Sequence, residues 1–137
     1  MQKILRLAGL SLALPLAVSS CAASRTSPAE TRPLPDASRV ALRQSAYADG
    51  PVIKPVELLE DSRCPVGVTC IWTGRVRLNM LWIRAGAPPQ AFEAILGERV
   101  PLADGTLLLE SVTPAKKVEG RIKPEDYRFS FRFDGGL

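Results

Sequence analysis

The chain has 137 residues, a formal net charge of +4 and no histidine. The lack of histidine excludes Ser-His and Cys-His nucleophile pairs, histidine-based acid–base catalysis and histidine-containing zinc sites. The first 20 residues carry two basic side chains and no acidic one, so the remainder carries 4 − 2 = +2. This net charge is too small to indicate nucleic acid or an anionic membrane surface as a partner.

The amino-terminal sequence MQKILRLAGLSLALPLAVSSC has the order of a secretory signal. Lys3 and Arg6 precede a twelve-residue apolar run at 7–18, and small residues follow. Twelve residues rise about 18 Å as a helix, which is too short for a hydrocarbon core of about 30 Å. Residues 1–20 are therefore predicted to be a signal peptide and not a permanent transmembrane helix.

The end of this segment, Val18-Ser19-Ser20-Cys21, resembles the lipobox of bacterial lipoproteins. The resemblance implies cleavage after Ser20 and attachment of diacylglycerol and a further acyl chain, such as palmitate, to Cys21. More than one acyl chain is needed for stable anchoring. The alternative is a secreted protein with an unmodified Cys21. In Gram-negative lipoproteins, an acidic residue after the lipidated cysteine retains the protein at the inner membrane. This chain has Ala22 at that position, so the resemblance implies an outer-membrane protein facing the periplasm.

Lipidation of Cys21 leaves Cys64 and Cys70 as a pair in a compartment that permits disulfides. Two cysteines cannot supply the four ligands of a structural zinc site, and no metal or other cofactor is predicted. Five residues separate the pair and no helix is predicted after Cys70, which disfavours a reactive dithiol. A structural disulfide between Cys64 and Cys70 is predicted. By closing the loop, it should stabilise the domain by about 2 kcal/mol.

Residues 22–37, AASRTSPAETRPLPDA, show no apolar periodicity and are predicted to be a flexible tether. The alternative is a proline-bearing edge segment packed on the domain. Residues 38–137 are predicted to form a single domain. In it, residues 38–48 fit either a short helix or a strand, and the run at 52–59 is predicted to be an edge or bulged strand because it contains Pro55.

Further strands are predicted, in chain order, at residues 76–84, 91–96, 100–102 and 106–112. The dipeptide Asp104-Gly105 is a hairpin turn signal between the last two. Several short strands separated by turn signals, with no βαβ alternation, are typical of an all-β fold. The predicted architecture is an antiparallel β-sandwich or small barrel with one disulfide-clipped loop.

The clearest half-buried strand is near the carboxyl end, where Tyr127, Phe129, Phe131 and Phe133 alternate with polar residues. Such a row of aromatic side chains suits either a core face or a ligand-stacking face. We interpret it as core, because arginines occupy the other face.

The segment DSRCPVGVTCIWTG, residues 61–74, holds both paired cysteines. Asp61 and Ser62 are predicted to start a turn by hydrogen bonding to their own backbone. Trp72 can cover the disulfide, with its indole N–H available to a partner. Arg63 has two interpretations: an inward role, pairing with Asp61 or with loop carbonyls, or an outward role, gripping a carboxylate of a partner. The inward role is favoured.

The residues of this segment carry a resemblance. Asp-Ser-Arg-Cys-Pro followed by Cys-Ile-Trp-x-Gly is similar to a motif of small uncharacterised bacterial lipoproteins and secreted proteins, and so is the closing KPEDYRFSFRF at 123–133. Thr73 stands where alanine is expected more often. The resemblance spans most of residues 38–137, implies a lipoprotein of unknown activity, and brings no catalytic residue with it.

The predicted function is a non-enzymatic, lipid-anchored binding or accessory module of the cell envelope. Its membrane contact is the amino-terminal lipid, its partner is an envelope protein, and the candidate contact surface is Arg63 with Trp72, since Arg and Trp are common interface anchors. One alternative is an inhibitor of a periplasmic or wall-acting enzyme. Another is a carboxylate-dependent hydrolase, which needs two acids converging in a cleft. Its candidate acids are Glu57, Glu60, Asp61, Glu125 and Asp126.

Overall fold

The computed structural model of the protein describes residues 33–136, which form an all-β fold. Seven strands follow in chain order: β1 (Ala46–Tyr47), β2 (Val52–Asp61), β3 (Val76–Ile83), β4 (Gln90–Ile95), β5 (Arg99–Leu102), β6 (Gly105–Thr113) and β7 (Arg128–Gly135). A single 3-10 turn, Pro124–Asp126, precedes β7, and the described residues contain no α-helix. None of the helical turns in the described part of the chain has the length or apolar character needed to span a bilayer.

The strands form two antiparallel sheets, with strand orders β1-β2-β3-β4 and β5-β6-β7. Isolated bridges connect Leu96, just after β4, with Leu109 in β6, and Val40, before β1, with Phe129 in β7. The two sheets do not close into a barrel. The prediction of an all-β antiparallel fold with one disulfide-clipped loop is therefore confirmed, in its sandwich form.

The bulge expected from Pro55 is present in β2, whose register with β3 shifts after Pro55 and again after Leu58. The carbonyl of Pro55 accepts a hydrogen bond from the backbone N–H of Arg43 at 2.6 Å. In a strand, the carbonyl and the nitrogen of one residue point to the same side. The Pro55 nitrogen therefore points away from β3, and the absence of an N–H on proline removes no hydrogen bond between β2 and β3.

The core lies between the two sheets and contains side chains from both. Its largest fully buried side chains are Phe129, Ile53, Leu78, Met80, Leu107, Leu109, Val40, Val76 and Pro55. Tyr127 and Phe131 are also buried, and Phe133 packs against the cluster half-buried. The interpretation of the aromatic row as core is thus confirmed, since Tyr127, Phe129 and Phe131 are buried in it.

The predicted hairpin is present, but its two loop residues are Ala103 and Asp104, because Leu102 pairs with Gly105. Ala103 adopts the left-handed conformation with φ of 52°. Gly105 is the first residue of β6, and a Cβ there would lie 2.2 Å from the carbonyl oxygen of Asp134. Glycine at 105 therefore serves the close approach of β7 and not the turn itself.

The segment before β1 packs on the domain from Pro35 onward. The backbone N–H of Tyr47 donates to the carbonyl of Pro35 at 2.9 Å, and Asp36 bridges Tyr47. Ala37 is buried, and its carbonyl accepts a hydrogen bond from Phe131. The last residues of the predicted 22–37 tether thus belong to the domain. The predicted signal peptide and Cys21 lie outside the described residues.

Candidate functional site: the clasp loop

The connection between β2 and β3, residues 62–75, is here called the clasp loop. Cys64 and Cys70 form a disulfide within it, with their Cα atoms 5.9 Å apart, as predicted. At the neck of the loop, the backbone N–H of Ser62 donates to the carbonyl of Arg75 at 2.9 Å, and the Arg75 N–H donates to Ser62 Oγ at 3.1 Å. The hydrogen bonds between Ser62 and Arg75 therefore close the loop at its two ends, and the disulfide closes it a second time within.

Arg63 is the second residue of the clasp loop, and its side chain lies at the base of the loop. Its Nε donates to Asp61 Oδ1 and one terminal nitrogen donates to Asp61 Oδ2, both at 2.8 Å, which is a bidentate pair. The terminal nitrogens also donate to the carbonyls of Val112 at 2.9 Å and Pro114 at 3.1 Å. The guanidinium thereby joins the base of the clasp loop to the end of β6.

Asp61 accepts two further hydrogen bonds besides those from Arg63. The Tyr127 hydroxyl donates to Asp61 Oδ2 at 2.8 Å, and Lys116 Nζ donates to the Asp61 backbone carbonyl at 2.9 Å. The side chains of Asp61 and Arg63 retain only 7% and 14% of their exposure. Charges this far from water persist only when they are paired and hydrogen-bonded, and this pair is both.

The ionisation of this cluster follows from its contacts. Burial acts to raise the pKa of Asp61, but the hydrogen bonds from Arg63 and Tyr127 outweigh it and hold that pKa below its usual value. Burial, together with the hydrogen bond to Asp61, raises the pKa of Tyr127 to about 12. The hydrogen bond to Asp61 also raises the pKa of Arg63. At neutral pH the cluster is therefore a fixed ion pair with a protonated phenol.

Of the two roles predicted for Arg63, the structure shows the inward one, in which the side chain pairs with Asp61 and with backbone carbonyls. Four of its five guanidinium N–H groups donate to Asp61 and to two carbonyls, so the group is not presented to a partner carboxylate. Arg63 should accordingly be removed from the candidate contact surface, because it supports that surface from below. Trp72 is different, since 56% of it is exposed.

Trp72 is held in place at its polar end. Its indole Nε1 donates to the carbonyl of Ser62 at 3.3 Å, so the hydrogen-bond partner of this N–H lies within the loop. Cys70 and Trp72 line the same open depression of about 580 Å³, between the clasp loop and residues 116–118. The outer part of the indole ring remains accessible to contact.

The clasp loop presents several exposed apolar side chains, which we call the clasp tip: Val66, Val68, Ile71, Trp72 and, from the neighbouring loop, Val118. Ile71 is 99% exposed. The backbone N–H of Val66 donates to the carbonyl of Lys116 at 2.9 Å, which connects the two loops. Val68, Trp72 and Val118 line one depression together, and exposed apolar side chains grouped in this way mark surfaces that contact another molecule. Sequence reasoning singled out Trp72 but missed Ile71 and the three valines.

The candidate acids are distributed over three places. Asp61 is in the cluster below the clasp loop. Glu60 lies on the outer face of the first sheet, where the hydrogen bond from Ser62 and pairing with Arg75 and Arg77 lower its pKa. Arg77 also pairs with Glu93 at 2.6 Å. Neither acid faces an open cleft without a cationic partner.

Two of the remaining acids share a groove. Glu57 and Glu125 line an open groove of about 740 Å³ with Arg43 and Arg121, over an apolar floor that includes the Tyr127 ring. Both carboxylates are exposed to solvent. Asp126 lies in the adjoining 3-10 turn. The groove brings two predicted acids together, but it does not withdraw them from water as a catalytic pocket usually does.

Among residues 33–136, no three His, Cys, Asp or Glu side chains cluster in a way that could hold a metal ion.

Comparison of the chain with models of protein families, with curated proteins and with solved structures gave no match.

Proposed function

We propose that this protein is a lipid-anchored, non-enzymatic binding or accessory module of the bacterial cell envelope, and that the clasp tip is its binding surface. The anchor is supported by the sequence Val18-Ser19-Ser20-Cys21 and the apolar run before it. The placement of Ala22 supports the outer membrane, facing the periplasm. The binding role is carried by one observation: an almost fully exposed Ile71 beside Trp72, on a loop closed by a disulfide.

The frame beneath the tip supports this role physically. A surface that binds well is one that loses little conformational entropy on binding. The disulfide, the Ser62–Arg75 neck and the Asp61–Arg63–Tyr127 cluster restrict the clasp loop before any contact is made. Ile71 and Trp72 contribute apolar area that is exposed in the free protein and can be buried in a complex.

The anchor is tested by growth with labelled palmitate. Wild-type protein is expected to incorporate the label and to sediment with outer membranes, whereas Cys21→Ser is expected to incorporate none. A wild-type protein without label would refute the anchor. The control is Cys64→Ser/Cys70→Ser, which retains Cys21 and should remain labelled.

The binding surface is tested by complementation of a deletion strain under envelope stress. Wild-type protein and Ile71→Leu, which keeps an apolar side chain, are expected to restore growth. Ile71→Ser is expected to fail although its amount in the membrane is unchanged, because residue 71 has no packing role to lose. Full rescue by Ile71→Ser and by Trp72→Ser would remove the clasp tip from the function.

Inhibition of a periplasmic or wall-acting enzyme is the second candidate function. A disulfide-closed loop with a fully exposed apolar side chain also suits insertion into an enzyme cleft. Purified protein would then reduce the wall-degrading activity of a periplasmic extract, and Ile71→Ser would reduce it less than Ile71→Leu. Equal inhibition by both variants, or none by wild type, would reject this function.

The hydrolase alternative retains the groove of Glu57 and Glu125 as its one supporting observation. It predicts that Glu57→Gln/Glu125→Gln fails to complement the deletion strain while the clasp variants succeed. The binding-module proposal predicts the opposite result for both sets of variants.

A further inference from the structure

The shape of the clasp tip restricts what it can contact. Ile71 is 99% exposed, so nothing in the described chain packs around it, and Trp72 lies next to it with its outer ring free. Val66 and Val68 are exposed on the same loop. A protruding set of aliphatic side chains with one tryptophan suits the boundary between lipid headgroups and acyl chains, where tryptophan is enriched.

The charged side chains closest to Trp72 are basic. The neighbouring loop, residues 114–127, has four basic and three acidic side chains: Lys116, Lys117, Arg121 and Lys123, and Glu119, Glu125 and Asp126. The depression beside Trp72 is lined by Lys116 from this loop and by none of its acids. The two arginines of the clasp loop are already paired, Arg63 with Asp61 and Arg75 with Glu60, so they add no free charge. Although the net charge of the chain is small, the surface beside Trp72 is locally basic, which complements anionic lipid headgroups.

The position of the tip within the domain makes such a contact compatible with an anchor. Pro35, where the chain enters the domain, lies beside Tyr47 at the Val52 end of β2, and the clasp loop follows Asp61 at the other end. A ten-residue strand is about 33 Å long. The clasp tip therefore lies about the length of β2 from the point of chain entry, and a domain lying with β2 along a membrane brings both ends close to it.

From these observations we propose that the clasp tip binds the surface of an anionic lipid bilayer, as a second membrane contact besides the lipid at Cys21. Ile71 and Trp72 enter the headgroup region, and Lys117 and Arg121 neutralise anionic headgroups around them. This inference rests on the proposed function, because the anchor supplies the nearby membrane and keeps the tip at high effective concentration there.

The test uses the lipidated wild-type chain and Trp82→Phe, in which Trp72 is the only tryptophan. Each protein is mixed with vesicles of phosphatidylethanolamine and phosphatidylglycerol, with some of the lipid brominated, or with vesicles of phosphatidylcholine alone. We expect Trp72 emission to shift to the blue and to be quenched by brominated lipid in the anionic vesicles, and both effects to weaken in high salt. If Trp82→Phe does not fold, the difference between wild-type and Trp72→Phe spectra reports the same quantity.

Matched variants separate apolar insertion from charge. Ile71→Ser should abolish the quenching, whereas Ile71→Leu should retain it. Lys117→Gln should lower the ratio of inserted to free tips about fivefold, as removal of one basic charge near an anionic surface does. Lys117→Arg should leave the ratio unchanged.

The outcomes are distinguishable. Protein that floats with the vesicles while Trp72 stays unquenched overturns this inference and leaves the anchor intact. Protein that lacks palmitate overturns the anchor, and quenching of Trp72 by added vesicles then still reports the tip. Quenching that is equal for Ile71→Ser and Ile71→Leu also overturns the inference. If an extract of envelope proteins shifts Trp72 emission to the blue while vesicles do not, the tip binds a protein partner, and the inference is overturned as well.

Discussion

Asp61 is the residue on which the clasp loop depends most. Its carboxylate accepts from Arg63 and Tyr127, and its carbonyl accepts from Lys116, so three segments of chain meet at one residue. The Asp61–Arg63 contact is local, and the sequence indicated it, because a carboxylate and a guanidinium two residues apart at a turn are close by construction. The contacts of Tyr127 and Lys116 come from 66 and 55 residues away, and no local pattern predicts them.

Removing one member of this ion pair should be costly. Arg63→Met is expected to lower the free energy of unfolding by about 3 kcal/mol, because it leaves a nearly buried Asp61 carboxylate without its partner. Urea unfolding monitored by circular dichroism measures the loss. Glu60→Gln is the control: its ion pairs are more exposed and screened by salt, so its loss should be much smaller. Equal losses for the two variants would contradict the assignment of Asp61–Arg63 as the supporting pair.

The raised pKa of Tyr127 makes stability depend on alkaline pH. A pKa raised from 10.0 to about 12 on folding means that the protonated phenol stabilises the fold fully below pH 10, and that this contribution is lost as pH rises through about 12. In Tyr47→Phe, the only tyrosinate absorbance comes from Tyr127. Its midpoint should lie near 12 in the folded protein, and a midpoint near 10 would refute the hydrogen bond to Asp61.

The depressed pKa of Asp61 acts at the acid end. Its ionised form stabilises the fold above the usual value of 3.8, and this contribution is lost as pH falls through the lower folded-state pKa. The stability difference between wild type and Asp61→Asn should therefore shrink in acid. Unfolding free energies measured over a pH series test this, and a difference independent of pH would contradict it.

At the scale of elements, alternation predicted the strands well where one face is buried, as in β3 and in Arg128–Gly135. It could not predict the order of the strands, nor the two register shifts of β2, because these depend on contacts between segments distant in sequence. Residues 38–48 remained ambiguous because they are mostly turns, with a single bridge at Val40 and the two-residue strand Ala46–Tyr47. The clasp was indicated by its cysteines, while its exposed tip was not.

The disulfide should stabilise the clasp loop without determining the fold. Cys64→Ser/Cys70→Ser is expected to lose about 2 kcal/mol, the chain entropy of a short loop, while both sheets persist. Thermal unfolding with and without a reductant measures the effect on wild type, and the double variant should not respond to the reductant. Loss of strand structure in the double variant would show that the disulfide is needed for the fold itself and not only for the stability of the loop.

The neck of the clasp loop leaves no room for a side chain at position 74. A Cβ there would lie 2.2 Å from the carbonyl oxygen of Ser62, so Gly74→Ala should cost about 2–3 kcal/mol. Gly67 in the same loop has φ of +87° but open space around it, so Gly67→Ala should cost only about 1–2 kcal/mol of backbone strain. A Gly74→Ala variant as stable as Gly67→Ala would argue against a closed neck.

At the scale of the molecule, the two sheets form a rigid support with different ends. One end holds the turns around Gly50, Ala87 and Ala103, and the other holds the clasp loop and residues 114–123. More large apolar side chains are exposed at the clasp end, above the Asp61–Arg63 ion pair, than at the other end, where Leu34 and Tyr47 are exposed. This asymmetry is the structural basis for assigning contact with another envelope component to the clasp tip.

The most direct test of that assignment places a photo-reactive phenylalanine analogue at position 71 in living cells, with position 87 at the opposite end as the control. Both residues are exposed, so neither substitution should disturb the fold. The account predicts adducts with an envelope component from position 71 and few or none from position 87. Equal adducts from both positions, or none from position 71, would contradict the claim that the clasp tip is the binding surface.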